Sequence, residues 1–227
     1  MSASAWSAVA LSLQVALASL AIGLVPGVAL GWLLARRRFP GRTLVEAIIH
    51  LPLVLPPVVV GFGLLVLFGR QSAVGAFLEN TFGLRIAFTW KAAAIASAVM
   101  GFPLLVRSVR LAMELVDARI ERAAAPLGAP PWQVFLRVTL PLAAPGVVAG
   151  ATLAFARSLG EFGATIMFAG NIEGMTRTLP LAIYTTAQQP GGDGATIRLA
   201  LVATALALLA TIASELLARR MQTRRES

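Results

Sequence analysis

Long apolar runs, each closed by arginines, are the feature of this chain that leaves the fewest folds open. They extend from about Val9 to Leu34, Leu44 to Phe68, Ala92 to Leu105, Leu142 to Phe168 and Ile197 to Leu217. A hydrocarbon layer about 30 Å thick is crossed by roughly 20 apolar residues in a helix, so most of these runs are long enough to span it. The third is the shortest, and Phe88 to Trp90 can extend it. With 58% hydrophobic and 13% charged residues, the chain also has too little polar surface to cover a soluble globule. The expected fold is therefore all-α: a polytopic membrane bundle of about five transmembrane helices. No linker, low-complexity tract or alignable repeat divides it, so residues 1–227 read as one membrane domain.

The net charge of +9 does not point to nucleic acid, because the basic residues cluster at the ends of the runs. Arg36, Arg37, Arg38 and Arg42 follow the first run. Arg107, Arg110, Arg119, Arg122 and Arg137 fall between the third and fourth, and Arg219, Arg220, Arg224 and Arg225 lie near the carboxyl end. Retention of positive loops in the cytoplasm predicts that these three segments face inward, with the amino terminus outside and the carboxyl terminus cytoplasmic. The start lacks the basic residue and short apolar core of a cleavable signal, so the first run is expected to remain. Trp6, Trp32 and Trp90 sit near run ends, where indoles anchor at headgroups. Cysteine is absent and His50 is the single histidine, which excludes disulfide scaffolds, thiolate catalysis and multi-histidine metal sites. No cofactor is implied. Nor is there a phosphate-binding loop of the G-x-x-x-x-G-K-[ST] kind: the one lysine, Lys91, follows Trp90 in an apolar region.

Between the third and fourth runs, about residues 117–141, the sequence turns polar. Val116, Ile120, Ala124 and Leu127 recur at helical spacing and share a face. Gly128 can stop that helix, Pro130 or Pro131 can start a second, and Trp132, Phe135 and Leu136 give the second its apolar face; Leu140-Pro141 is expected to end the unit. Two short helices rimmed by Arg119, Glu121, Arg122 and Arg137 suit a groove on a partner, although an interfacial helical loop without a partner has the same composition.

The spacing within this segment is more specific than its composition. Glu121, Ala123 and Ala124, then Gly128, Phe135 and Leu140-Pro141, form a multi-point pattern that resembles the E-A-A…G loop of binding-protein-dependent ABC importer permeases. The stretches His50 to Gly61 and Phe155 to Thr165 resemble the molybdate permease branch of that family, to which sulfate and thiosulfate permeases look related. The resemblance covers nearly the whole chain. It implies a type I importer permease fold in the bacterial inner membrane and a pore formed with a second copy of the chain. It also implies a separate ABC ATPase subunit as the source of energy and an extracytoplasmic molybdate-binding protein as the source of selectivity. By the same resemblance Glu121, Ala123, Ala124, Gly128, Phe135 and Pro141 are the ATPase-coupling residues. Pro126 departs from the pattern inside the first helix. Tungstate is too similar to molybdate for sequence to separate them.

Two further places are candidates for the solute pathway. Pro52, Pro56 and Pro57 remove backbone donors and Gly61 and Gly63 permit close approach, so the second run should be kinked or partly unwound. It then either lines a path, with Pro56 and Pro57 at the break, or is an ordinary kinked helix. Arg157 and Glu161 lie four apart in the fourth run with Ser158 between them, and such charges usually face a bundle interior or a water-filled cavity. They either line the pathway or form a self-neutralised pair that fixes packing. Ser158, Gly160, Gly163 and Thr165 are expected to let neighbouring helices approach. Of the outer loops, residues 170–176 are candidates for receiving the binding protein. A secondary ion-coupled carrier is the alternative from another class; it would call for repeated halves with matching broken helices, and one run alone is strongly broken by sequence. An intramembrane hydrolase would need a base and a nucleophile, but Ser158, beside Arg157 and Glu161, has no histidine near in sequence, and His50 is the sole candidate elsewhere.

Overall fold

The computed structural model describes residues 3–117, 119–120 and 130–226. Among the described residues the elements are helices: α1 (Ala3–Arg36), α2 (Arg42–Val54), α3 (Pro57–Phe68), α4 (Ala73–Phe82), α5 (Trp90–Glu114), α6 (Pro131–Leu159), α7 (Gly163–Ala169), α8 (Leu179–Ala187) and α9 (Asp193–Glu226). Four of them are long and apolar enough to cross a membrane, and a fifth span is obtained if the bent pair α2–α3 counts as one. The expectation of about five spans is met.

α5 is the central rod. On one side it receives α1, whose Gly27 and Gly31 lie one turn apart on the contact face. A methyl group there would come within 2.6 Å of Leu105 Cδ2 or of Val109 Cγ1. On the other side it receives α6, where a methyl on Gly150 would meet Ser108 Cβ at 2.8 Å. Small residues on both partners let three backbones approach closely, which is how helices associate where the surroundings are as apolar as the side chains. The buried faces of α5 complete the core: Ala92, Ala93, Ala96 and Met100 pack with Val15, Ala164 and Phe168, while Leu105, Val109 and Met113 pack with Ala143 and Ala154.

Three boundaries differ from those expected. The third span does not end at Leu105 but continues to Glu114, so Arg107 and Arg110 lie on the helix rather than in a loop. α6 does not restart at Leu140-Pro141: it runs from Pro131 to Leu159 without a break. Pro141 is accommodated because the preceding turn, Phe135–Thr139, widens into a π turn in which Leu140 N–H bonds Phe135 O. The fourth run does not continue helically to Phe168 either; it stops at Leu159 and resumes as the separate helix α7. The short helix α4 stands between the second and third runs. Ser72 caps its first turn by accepting from Gly75 N at 2.9 Å, and Gly83, at φ 64°, ends it in the left-handed conformation open to glycine.

Candidate functional site

The two broken spans break beside each other. Leu55 is extended (φ −71°, ψ 144°) because a residue before proline is pushed out of the helical region, and Pro56 and Pro57 offer no N–H to continue the ladder. α3 therefore leaves at 114° to α2, with Pro57 in its first turn. Across from this bend, α6 stops at Gly160 and α7 begins at Gly163. The second break is seated directly on the first. A methyl on Gly163 would come within 2.8 Å of Pro57 Cβ, and one on Gly61 would lie 2.5 Å from Ala164 O. Both glycines are thus required by backbone approach between α3 and α7. Gly63 and Gly160 are not: the first faces open space, and the second has Arg157 O alone, at 4.0 Å.

Glu161 holds the second break in shape. It is 1% exposed, and its Oε1 accepts a hydrogen bond from Ala164 N at 2.8 Å, satisfying a free donor in the first turn of α7. Its Oε2 meets Arg157 Nη1 at 2.7 Å. The pair expected from spacing therefore forms, but not from one helical face. Arg157 is in the last turn of α6 and Glu161 is beyond its end, so the carboxylate spans the gap between two helices. Beside the pair, Ser158 Oγ lies 2.7 Å from Ser19 Oγ of α1. Ser19 spends its own proton on Ala16 O at 2.8 Å, so Ser158 is the donor between the two hydroxyls. This contact joins positions 139 residues apart, and no local signal reports it. Ser19→Ala is expected to cost the purified complex about 0.6 kcal/mol and at most about 1.7, the range for hydrogen bonds between membrane helices, read as a shift in thermal midpoint. Ser158→Ala added to it should cost little more, since one shared bond is lost either way.

Two cavities involve α8 and α9, and the first of them reaches the end of α6. One, of about 610 Å³, is apolar and lies between the α6 end, α8 and α9, with Leu159, Gly160, Phe162, Tyr184 and Ala203 on its walls. The other, of about 340 Å³, is lined by Arg177, Arg198, Thr185, Thr186 and Glu173 together with Ala182 and Leu199. In the second, Arg177 is held from two sides, by Asn171 Oδ1 at 2.9 Å and Glu173 Oε2 at 3.0 Å.

Of the residues expected to couple to an ATPase, Glu121, Ala123, Ala124 and Gly128 lie outside the described residues. Their described flanks are anchored differently. On the upstream side Val116 is buried, with its carbonyl accepting from Arg36 Nη2 at 3.0 Å. On the downstream side Phe135 packs edge-to-face on Trp32 with ring centroids 5.5 Å apart, while Pro141 is exposed. The apolar face expected from Trp132, Phe135 and Leu136 is therefore split. Phe135 turns into the bundle, and Trp132 (61%) and Leu136 (50%) remain exposed, as do Leu115 and Ile120 on the other flank.

Residues 27–223 match the model of the family described as binding-protein-dependent transport system inner membrane component. The chain belongs to this family. It is 52% identical over 214 residues to the molybdenum transport system permease protein ModB of Escherichia coli (strain K12), covering 94% of this chain and 93% of that one. The corresponding ModB of Haemophilus influenzae is 52% identical over 95% of this chain and 94% of its own. The sulfate transport system permease protein CysT of Escherichia coli (strain K12) is 42% identical over 72% of this chain and 58% of its own. Among solved structures, an inward-facing form of the MetNI methionine ABC transporter superposes with a TM-score of 0.72 at 22% identity, covering 97% of this chain and 99% of that one. A bacterial alginate ABC transporter superposes with a TM-score of 0.76 at 18% identity, covering 97% and 80%. At such identities the likeness speaks for the fold, which is that of an ABC importer membrane subunit.

Proposed function

We propose that this chain is the pore-forming permease subunit of an ATP-driven importer of molybdate, multi-pass in the bacterial inner membrane. The observation that carries the reading is the 52% identity to ModB proteins over nearly the full length of both chains. The cargo is an oxyanion. Two copies form the pore around a two-fold axis. Each is a single membrane domain over residues 1–227, with its amino terminus outside and its carboxyl terminus in the cytoplasm. A separate ABC ATPase subunit supplies hydrolysis and docks on the inner segment at about 117–141 through Glu121, Ala123, Ala124 and Gly128. Within that segment Trp132 and Leu136 are exposed, and they are four apart on one helix, the spacing by which an apolar helix face docks in a groove. A molybdate-binding protein delivers cargo at the outer face, where residues 170–176 receive it. Pro56, Pro57, Arg157, Ser158 and Glu161 frame the pathway at the paired helix breaks, with Arg157 and Glu161 as braces of its wall.

The test is uptake of labelled molybdate by vesicles holding the chain with its ATPase and binding protein. ATP-dependent accumulation is expected, with competition by tungstate and weaker competition by sulfate. Sulfate outcompeting molybdate would move the chain to the CysT-like branch, and accumulation driven by an ion gradient without ATP would make it a carrier.

A further inference from the structure

A small ionic cluster ties the inner end of α5 to α2, and nothing in the pathway uses it. Glu46, in the second turn of α2, meets Arg110 Nη1 of α5 at 2.9 Å and accepts from Arg42 Nε of its own helix at 2.8 Å. Arg110 in turn donates from Nε to Glu114 Oε1 at 2.8 Å, so its planar fork is held by two carboxylates. One turn along the same seam, Ile49 is the buried residue of α2, packed with Val106 of α5 and Leu34 of α1. Glu46 and Ile49 are three apart on α2, and Val106 and Arg110 are four apart on α5, so the two contacts stack along one line. Val45, partly buried, packs on the same cluster, whereas Leu44, Ile48, Leu51, Leu53 and Val54 of α2 are between 45% and 81% exposed.

The two ends of this seam lead to different places. α5 runs on into the inner segment after Val116, and α2 runs to the bend at Leu55-Pro56, beyond which α3 is seated on α7. A helix gripped at a short apolar seam, here Ile49 with Val45, can pivot about it, whereas a directional ionic contact beside that seam converts a push on α5 into a rotation of α2. The side chains of Glu46 and Arg110 are 28% and 27% exposed, which limits screening of the ionic contact.

We propose that Glu46 is a positioning residue that transmits displacement of the inner end of α5 to α2, and through α2 to the paired helix breaks. The inference rests on the importer reading above. Arg42 supplies an internal control, because its ion pair with Glu46 lies within one helix and links nothing.

The experiment measures molybdate uptake and ATP hydrolysis in the same vesicles holding the full complex. Glu46→Gln and Arg110→Gln are each expected to assemble and to hydrolyse ATP, while uptake falls about tenfold, within the usual range of coupling between sites. Arg42→Gln should retain uptake. Arg110→Lys, which keeps the charge but loses the fork, should show a smaller drop, and it carries the test if a glutamine variant does not assemble. Three results would overturn the inference: unchanged uptake in both glutamine variants, uptake and hydrolysis falling in parallel, or Arg42→Gln as damaging as the other two. Failure of the unaltered complex to move molybdate would sink the importer reading first and the inference with it, so the two failures are told apart.

Discussion

Arg157→Met is expected to destabilise the assembled complex by about 3 kcal/mol, the lower end of what removing one member of a buried ion pair costs. The reason lies in its partner. Glu161 is 1% exposed, its Oε1 is committed to Ala164 N at 2.8 Å and its Oε2 faces Arg157 Nη1 at 2.7 Å. Without the guanidinium, a buried carboxylate is left with no opposite charge beside it, which is costly. The lower end of the range applies because the arginine side chain is 29% exposed and its own loss is partly compensated by solvent. Glu161→Gln introduced together with Arg157→Met should recover most of the stability, since no charge is then stranded. Thermal unfolding of the purified complex measures both. The same variants separate bracing from anion contact. If the double variant regains stability and uptake together, the pair is a brace; if stability returns and uptake stays absent, the guanidinium touches the cargo. Normal uptake by a stable Arg157→Met complex would remove both roles.

Gly61→Ala and Gly63→Ala should move stability in opposite directions although they differ by two positions on one helix. At Gly61 the added methyl comes within 2.5 Å of Ala164 O and 2.8 Å of Ala164 Cα, which are backbone atoms of α7 and cannot swing aside. The helices must separate, at about 1–3 kcal/mol for overpacking, and uptake should fall because the seat between the two breaks is lost. At Gly63 a methyl meets nothing within 4 Å, and alanine is favoured over glycine inside a helix by up to about 1 kcal/mol. A shift of the unfolding midpoint down for the first and level or up for the second is the expected outcome. Equal behaviour of the two would mean that α3 is not packed on α7 in the working complex.

Much of the architecture was legible from local pattern. Prolines 56 and 57 announced the break in the second run, since missing donors and the restriction on Leu55 act within a few residues. α4 is likewise bounded by local features, the cap at Ser72 and the left-handed Gly83. The second break was not legible in this way. Nothing in Gly160-Glu161-Phe162-Gly163 forbids a continuous helix as the prolines do, and the stop at Leu159 is maintained by Glu161 reaching forward to Ala164 N and back to Arg157. The continuation of α6 through Pro141 was missed for the opposite reason: one widened turn absorbs a proline that would otherwise end a helix. The coupling role proposed for Glu121, Ala123, Ala124 and Gly128 rests on their spacing in the sequence.

What the chain alone determined is its class, the number of long spans and its family. Those depend on quantities that each residue contributes separately: the length of apolar helix needed to cross hydrocarbon, the cost of placing arginine within it, and residue types at set spacing in an exposed segment. Which glycines are contacts and which are bystanders, which serine faces Ser158, and which carboxylate Arg110 finds were decided by the tertiary structure. Each depends on how far one rod is turned and shifted against another, and that is set by the summed fit of small residues along α1, α5 and α6.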